Sequence, residues 1–547
     1  MTGHDAPPTH GLSTGPATSL AYHTGTWRTE RPVYVDLAPP CSLACPSNED
    51  IRGWLGSTQE GQAGFKAAWE RIVAANPFPA IMGRICYHPC QSSCNRGQLD
   101  EEVGINAVER FLGDTAIDNG WALPEPARAT GRRVLVVGSG PAGLSAAYQL
   151  RQRGHQVVVR EAAAEPGGMM RYGIPAYRLP RDVLAAEIHR IEATGVSLEC
   201  ATRVDDLDAA QSEFDAVVLT MGAGVAHHVD IPAGAAAKIV DAIDVLRDVA
   251  AGKPPLVGRR VAVYGGGNTA MDAARTARRL GAQDAVVVYR RTKEQMPAHP
   301  TELADAIGEG VRVQWLSTIS EVEGRTLRIE RMELDDEGRP HGTGQYEELD
   351  ADTVMLAVGQ DADLTLLELV DDITVADGVV QVDPGTLMTG RAGVFAAGDV
   401  SPGSRTATFA IGRGARAARA VDAYLAGLPA PVEPPTREAT FDRLSTWYYS
   451  DAPKQHRSEL EAARRVTGFE EVLSGLDAEH AVFEARRCMS CGSCFECDNC
   501  FGMCPDDAIK KLGPGLGFAI DYDYCKGCGI CAAECPAGAI DMIPEVR

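Results

Sequence analysis

Between Arg132 and about Leu428 the chain alternates short β-branched runs with longer alanine-rich stretches whose apolar positions recur every three or four residues. Arg133–Val137, Gln156–Arg160, Asp215–Thr220, Arg260–Tyr264, Ala285–Tyr289 and Thr353–Val358 read as strands. Such near-continuous apolar runs fit parallel strands covered on both faces. Leu144–Arg153 and Met271–Leu280 read as covering helices, so the rhythm predicts an α/β fold with two nucleotide-binding-type units. Upstream, Gly64–Val73 and Asn106–Leu112 have helical periodicity, and the stretch from Leu123 to Gly131 has linker composition. The expected division is an arm over 1–40, disordered or extended, then a helical domain over 41–125. A first α/β domain over 132–230 and 350–428 is interrupted by a second over 231–349. A Pro-rich Leu428–Pro435 opens a connector over 429–484, and a cysteine-rich α+β module fills 485–547.

A length of 547 residues exceeds one hydrophobic core and agrees with several domains. No run of about 18 apolar residues occurs and the first forty residues lack the order of a signal peptide, so no membrane insertion and a cytoplasmic address are expected. Sixteen cysteines in a reducing compartment point to metal or cluster ligation over disulfides. The net charge of −23 disfavours nucleic acid as a partner.

Two glycine turns carry the nucleotide chemistry. The first, Gly138-Ser139-Gly140-Pro141-Ala142-Gly143, joins strand to helix and is followed by Glu161 at the end of the next strand. This is the Rossmann arrangement: glycines for the tight turn, for close approach to a diphosphate and for helix packing, with a carboxylate for a ribose diol. The second turn, Gly265-Gly266-Gly267-Asn268-Thr269-Ala270, is followed by Arg290-Arg291 where the first has Glu161. A guanidinium grips a 2′-phosphate that an acid would repel, so this site is read as NADPH-binding, with NADH the alternative. One of the two arginines capping the sheet edge is the bland reading. Gly222 and Gly359 end strands as though the chain crosses between domains there. Gly398-Asp399 follows a strand, placing a carboxylate near a ribityl chain, and a helix from about Thr408 aims its N-terminus at a flavin ring. Met169 beside Met170 could line that ring or simply pack in the core.

The tail holds two C-x2-C-x2-C-x3-C-P repeats, Cys494, Cys497, Cys500, Cys504 and Cys525, Cys528, Cys531, Cys535. In this bacterial ferredoxin spacing three thiolates wrap one [4Fe–4S] cubane and the fourth reaches to the other cluster. A zinc ribbon is the disfavoured alternative. Cys488 and Cys491 continue the three-residue spacing upstream and are left unassigned, as register shifters or reserve ligands. Cys200 stands alone, and no C-x2-C accompanies either nucleotide fold, which disfavours a dithiol reductase. His88 among the N-terminal cysteines and His299 after the Met296-Pro297 turn are read as surface imidazoles, with donation to a cluster sulfur and approach to a nicotinamide as their respective alternatives.

The order Gly138–Gly143, Gly167-Gly168-Met169-Met170-Arg171-Tyr172-Gly173-Ile174-Pro175 through Arg178-Leu179-Pro180, Gly265–Asp272, Tyr289–Thr292 and Ala397–Asp399 resembles the glutamate synthase small-subunit family. The flavin half of dihydropyrimidine dehydrogenase is similar. The resemblance covers roughly 41–428. It implies FAD at Gly140, Glu161, Gly168, Arg178 and Asp399, and NADPH at Gly267, Asn268, Thr269, Arg290 and Arg291. It also implies a helical domain with two [4Fe–4S] clusters, but Val33 and Asp36 occupy the places of one cysteine pair. The resemblance then assigns one surviving cluster to Cys45, Cys86 and Cys90, with Glu109 near the fourth position. Cys41 and Cys94 belong to the depleted cluster, or one of them supplies the fourth thiolate. A second cluster completed by Asp36 or water, or a zinc site, stays open.

The resulting expectation is an FAD-dependent NADPH:acceptor oxidoreductase subunit. It would exchange hydride with NADPH and pass single electrons through clusters to or from a larger catalytic redox subunit or ferredoxin, in a hetero-oligomer. The rival reading is a non-catalytic electron-transfer and assembly subunit.

Overall fold

The structure is a computed structural model that describes residues 23–227, 229–432 and 436–545. Residues 1–22 of the arm expected over 1–40, and the Glu433–Pro435 end of the Pro-rich stretch, lie outside the described residues.

The first α/β unit is a five-stranded parallel sheet in the order Val394–Ala396, Ala216–Leu219, Arg133–Val137, Gln156–Arg160, Ser197–Glu199. Val134, Val136, Val157 and Val159 face helices Pro141–Gln152 and Ala407–Leu425, while Leu135, Val137, Val217 and Leu219 feed a second core on the other face. Both faces are covered, so the strands carry no polar side. The two helices cross closely at Gly414, where a Cβ would lie 2.2 Å from the Ala142 carbonyl oxygen.

The second sheet is also parallel, in the order Arg312–Gln314, Asp284–Val288, Arg260–Tyr264, Thr353–Leu356, Ile239–Asp241. Thr353–Leu356 pairs with Arg260–Tyr264 inside this sheet, which moves the return to the first unit from residue 350 to Gly359. Nothing in composition changes at 350. The crossing is marked only by Gly359, with φ +132°, and by the short antiparallel pair of Val225–Ala226 with Gln360–Asp361. The α/β rhythm also concealed an antiparallel sheet of Ser317–Glu323, Thr326–Leu334 and Pro340–Asp350, which packs Ile319, Val322, Leu327 and Ile329 against Val286 and Val288.

The two units are joined by buried charge. Arg178 of the first unit pairs with Asp272 at 2.8 Å and with Glu302 of the second, where Arg275 braces Glu302 at 3.3 Å and Glu309 at 2.8 Å.

The N-terminal helices Ile51–Thr58, Phe65–Val73, Pro79–Ile85 and Ile105–Asp118 enclose Trp54, Ile72, Val108 and Leu112. Pro79–Ile85 presses on Ile105–Asp118 so tightly that a Cβ on Gly113 would lie 2.2 Å from the Ala80 nitrogen. Its first turn is capped from the first α/β unit, where the fully buried Glu187 accepts from the Ala80 and Ile81 amides at 3.0 Å each.

The chain's ends meet. Glu30–Tyr34 is a strand paired antiparallel with Ile540–Pro544, so the arm is ordered from His23 onward against the C-terminal module. That pairing bridges about the whole chain, which no local pattern predicts. Helix Ala478–Arg486 docks Ala485 into the N-terminal helical core, and the module's hairpin is Ile509–Gly513 with Gly517–Ile520.

Removing the Glu187 carboxylate leaves two buried amides without an acceptor, at a cost of about 1–3 kcal/mol. Glu187→Ala is expected to lower the thermal midpoint and Glu187→Gln, which keeps one acceptor oxygen, to lower it less. Equal midpoints in differential scanning calorimetry would contradict the cap.

Candidate functional site

One cavity of about 1240 Å³ runs from the first glycine turn to the second. Gly138, Gly140, Pro141, Ala142, Glu161, Gly168, Met169, Arg178, Gly398 and Asp399 line one part, and Gly266, Gly267, Asn268, Thr269, Arg290 and Arg291 line the other. It exceeds the usual size of a single drug-sized pocket and has length for two dinucleotides.

The glycines fit that use. Gly140 and Gly267 each precede a twelve-residue helix that has no side-chain cap, and a Cβ on either would project into open space. The unpaired first-turn amides are therefore free for a diphosphate. Gly143 does not line the cavity; its Cβ would sit 1.9 Å from the Gly138 carbonyl oxygen, so it permits helix–strand contact. Ser139 is fully buried and donates from its amide and hydroxyl to Glu161 at 2.8 and 2.7 Å, while Ala163 donates to the other Glu161 oxygen at 2.8 Å. Those bonds orient the carboxylate toward the cavity. Asp399 is half-buried, and burial pushes its carboxyl upward. Met169 and Met170 both line the cavity, and Met170 is also buried in the adjoining core.

On the second side, Asn268 accepts from the His299 amide at 2.8 Å and Thr269 accepts from the Gln360 amide group at 3.1 Å. Arg290 is exposed and Arg291 half-buried, and among the described residues neither forms an ion pair.

Of two further expected flavin contacts, one borders the cavity and one does not. Arg178 borders the cavity, yet its guanidinium is committed to Asp272 and Glu302, so it acts as a strut between the two units. Thr408 points away from the cavity, which Thr406, Ala407 and Ala410 line instead. Its side chain lies in a second cavity with Cys45, Cys86, Cys90, Glu49 and Glu109. The helix runs from Ala407, and Thr408 falls on its face toward the cysteine cavity.

That second cavity abuts the first. Ile85 and Tyr87 line the dinucleotide cavity, whereas Cys86 and His88 line the cysteine cavity. The extended residue Cys86 sends neighbouring side chains to opposite sides, so one strand of backbone is the wall. His88 is half-buried, and burial lowers its imidazole to about 4; His299 stacks on Tyr87 at 4.4 Å. Neither is a free surface imidazole. Glu49 and Glu109 share the Asn76 amide, which donates to each at 2.9 Å, and burial pushes both carboxyls up. Glu49 is a carboxylate at this cavity that the sequence reading missed; its only signal was an acid four residues after Cys45.

Among the described residues no three His, Cys, Asp or Glu side chains converge closely enough for a single ion. The cysteines surround cavities instead, as a polynuclear cluster requires. In the tail, the neighbours of Cys494 and Cys500 include Cys497 and Cys535, and those of Cys525 include Cys504 and Cys528, with Cys531 beside Cys525 and Cys528. Each repeat's last cysteine thus joins the other group. Amides of Ala508 and Ala539 donate to Cys504 and Cys535 sulfurs at 3.3 Å. Cys41 and Cys94 lie apart from Cys45, in a third cavity that also holds Cys488 and Cys491.

A side chain at Gly140 would occupy the space open to a diphosphate. Gly140→Val is expected to lower bound flavin per chain about tenfold or more, equivalent to roughly 1.4 kcal/mol or more of lost affinity. Visible absorbance per chain of purified protein measures it, and full flavin content would refute the cradle.

Family models agree with this layout. That for pyridine nucleotide-disulphide oxidoreductase matches residues 132–414, that for dihydropyrimidine dehydrogenase domain II, 4Fe-4S cluster, matches 29–121, and that for the 4Fe-4S binding domain matches 518–541. The chain is 36% identical to the NADP(+)-dependent formate dehydrogenase subunit beta of Moorella thermoacetica, over 83% of this chain and 70% of that protein. It is 32% identical to the NADPH-Fe(3+) oxidoreductase subunit beta of Geobacter sulfurreducens (83% and 75%) and 34% identical to the glutamate synthase [NADPH] small chain of Azospirillum brasilense (71% and 86%). No helix among the described residues is long and apolar enough to cross a membrane. With glycine turns, cysteine spacing and these matches in agreement, the chain belongs to the pyridine nucleotide-disulphide oxidoreductase family, in its glutamate synthase small-chain-like group with iron–sulfur domains at both ends.

Proposed function

We propose that this chain is an NADPH-dependent flavin and iron–sulfur oxidoreductase subunit that exchanges electrons with a separate redox protein. The observation that carries the reading is the shared wall: residues 85 to 88 face a two-dinucleotide cavity and a cysteine cavity alternately. When bound, FAD supplies the conversion between hydride from NADPH and single electrons for [4Fe–4S] clusters.

The chain's own residues do the positioning. In this reading the first unit, 132–224 with 359–428, holds FAD on the Gly140 turn with Glu161 at the ribose, and 225–358 holds NADPH on the Gly267 turn. Arg290 and Arg291 take the 2′-phosphate, while Arg178, by pinning Asp272 and Glu302, holds the nicotinamide side against the flavin side. Cys45, Cys86 and Cys90, with Glu109 or Glu49, hold the cluster next to the wall. Cys200 is the only cysteine between Cys94 and Cys488, so no dithiol pair stands in the nucleotide units to take electrons. The tail offers the exit, where Cys494, Cys497 and Cys528 are exposed. The partner proposed there is a larger catalytic redox subunit or a ferredoxin, in a hetero-oligomer.

The isolated chain is expected to oxidise NADPH with an artificial dye. Absence of turnover in flavin-replete protein would overturn the proposal in favour of a passive assembly subunit. Replacing Arg290 and Arg291 by alanine removes hydrogen bonds to a charged group worth about 1.5–3 kcal/mol, so kcat/KM for NADPH should fall roughly 10- to 100-fold. The value for NADH should change by less than about threefold. Parallel loss with both coenzymes would refute the 2′-phosphate assignment.

A further inference from the structure

We propose that Cys41, Cys94, Cys488 and Cys491 ligate a further [4Fe–4S] cluster, assembled from both ends of the chain. All four line one small cavity. Two come from the N-terminal helical domain and two from the turn after helix Ala478–Arg486. The inference rests on the iron–sulfur reading above and adds a centre to it.

Val33 and Asp36, the nearest side chains upstream of Cys41 considered as ligands, do not complete this site. Val33 is committed to the strand paired with Ile540–Pro544, and Asp36 is 74% exposed and bonded to Arg52 at 2.9 Å. The C-x2-C pair Cys488 and Cys491 fills the cavity instead. It is held there by bonds that do not involve the ferredoxin repeats. Buried Arg487 pairs with Glu484 at 2.6 Å and donates to the Glu101 and Glu102 carbonyls at 2.7 and 3.0 Å. Glu484 in turn accepts from the Gly104 amide at 2.6 Å. Arg52 donates to the carbonyls of Leu37 and Cys491 at 2.8 and 2.9 Å, tying the two ligand-bearing segments directly.

A lone buried cysteine is ordinarily a small hydrophobe. Four around one cavity, spaced as C-x2-C on one segment, are a thiolate donor set for iron or zinc. Position favours iron. Ile105 lines both this cavity and that of Cys45, Cys86 and Cys90, and Cys494 of the ferredoxin module follows Cys491 by three residues. The quartet thus occupies the gap between the cluster beside the flavin wall and the two in the tail. A redox-inert ion there would break the relay.

The test is metal content and electron paramagnetic resonance of the full chain, prepared anaerobically. Four clusters give about sixteen irons and as many sulfides per chain, and three give about twelve. Cys488→Ser with Cys491→Ser, and separately Cys41→Ser, are expected to abolish the same reduced-cluster signal and about four irons, while Cys200→Ser changes neither. Bound flavin per chain reports whether each variant is folded. About twelve irons in the unmodified chain, zinc in stoichiometric amount, or an unchanged signal in a folded tail variant would each overturn the proposal. Should the tail variants fail to fold, the iron count of the unmodified chain decides alone. Iron at the expected level with no NADPH:dye turnover would sink the function proposed above and leave this site standing.

Discussion

Electrons leave a flavin singly only if a one-electron acceptor lies close to it, and here the separation is one backbone segment. Ile85 and Tyr87 border the dinucleotide cavity while Cys86 and His88 border the cysteine cavity. Much of the surrounding fold serves to keep this segment where it is. Helix Pro79–Ile85, which delivers it, is clamped against Ile105–Asp118 at Gly83 and Gly113 and capped by Glu187 from the α/β unit. Tyr87 stacks on His299 of the second unit. Three domains therefore converge on four residues.

The second constraint is registration of the two nucleotide units. An apolar interface tolerates sliding, whereas buried charge pairs lose their partner if displaced and leave a desolvated ion, at a cost of several kcal/mol. Arg178 with Asp272 and Glu302 forms such an interface, and Arg275, paired with Glu302 and Glu309 inside the second unit, holds the acidic side in place. The interface's place beside the cavity lets one motif arginine border the cofactor space and brace the two units at once. The charges that position the site are within a few residues of the glycines that form it.

Local pattern made the α/β core legible. Arg133–Val137, Gln156–Arg160 and Arg260–Tyr264 are strands with the ends expected, because runs apolar on both faces have no other soluble use at that length. The glycine turns were legible because each position has a steric reason. What stayed hidden was non-local. Cys488, Cys491, Cys494, Cys497 and Cys500 form one unbroken three-residue series, so spacing alone cannot divide it. The division is made by backbone: Ser490 at φ +50° and Gly492 at φ +83° turn the first pair toward the N-terminal helices. A Cβ on Gly492 would lie 2.7 Å from the Leu37 carbonyl oxygen, so the turn is also a contact between the chain's two ends. Likewise the strand at Glu30–Tyr34 has meaning only once its partner at Ile540–Pro544 is in place.

Exposure gives the relay a direction in space. Cys41, Cys90 and Cys491 are buried, and Cys45, Cys86 and Cys488 are half-buried among helices, whereas Cys494, Cys497 and Cys528 reach solvent. A cluster's potential depends on burial and on hydrogen bonds to its sulfurs, so centres along this path sit in graded surroundings. The inner cysteines share their cavity with Glu49 and Glu109, whose carboxyls burial pushes toward the neutral form, and Cys86 accepts from the His88 amide at 3.2 Å, just as Cys504 and Cys535 accept from the Ala508 and Ala539 amides at 3.3 Å. Negative charge near a cluster disfavours reduction and donated hydrogen bonds favour it. Sulfurs at both ends accept amides, so what distinguishes the outer end is the solvent exposure of Cys494, Cys497 and Cys528, where a partner can reach a cluster and take its electron.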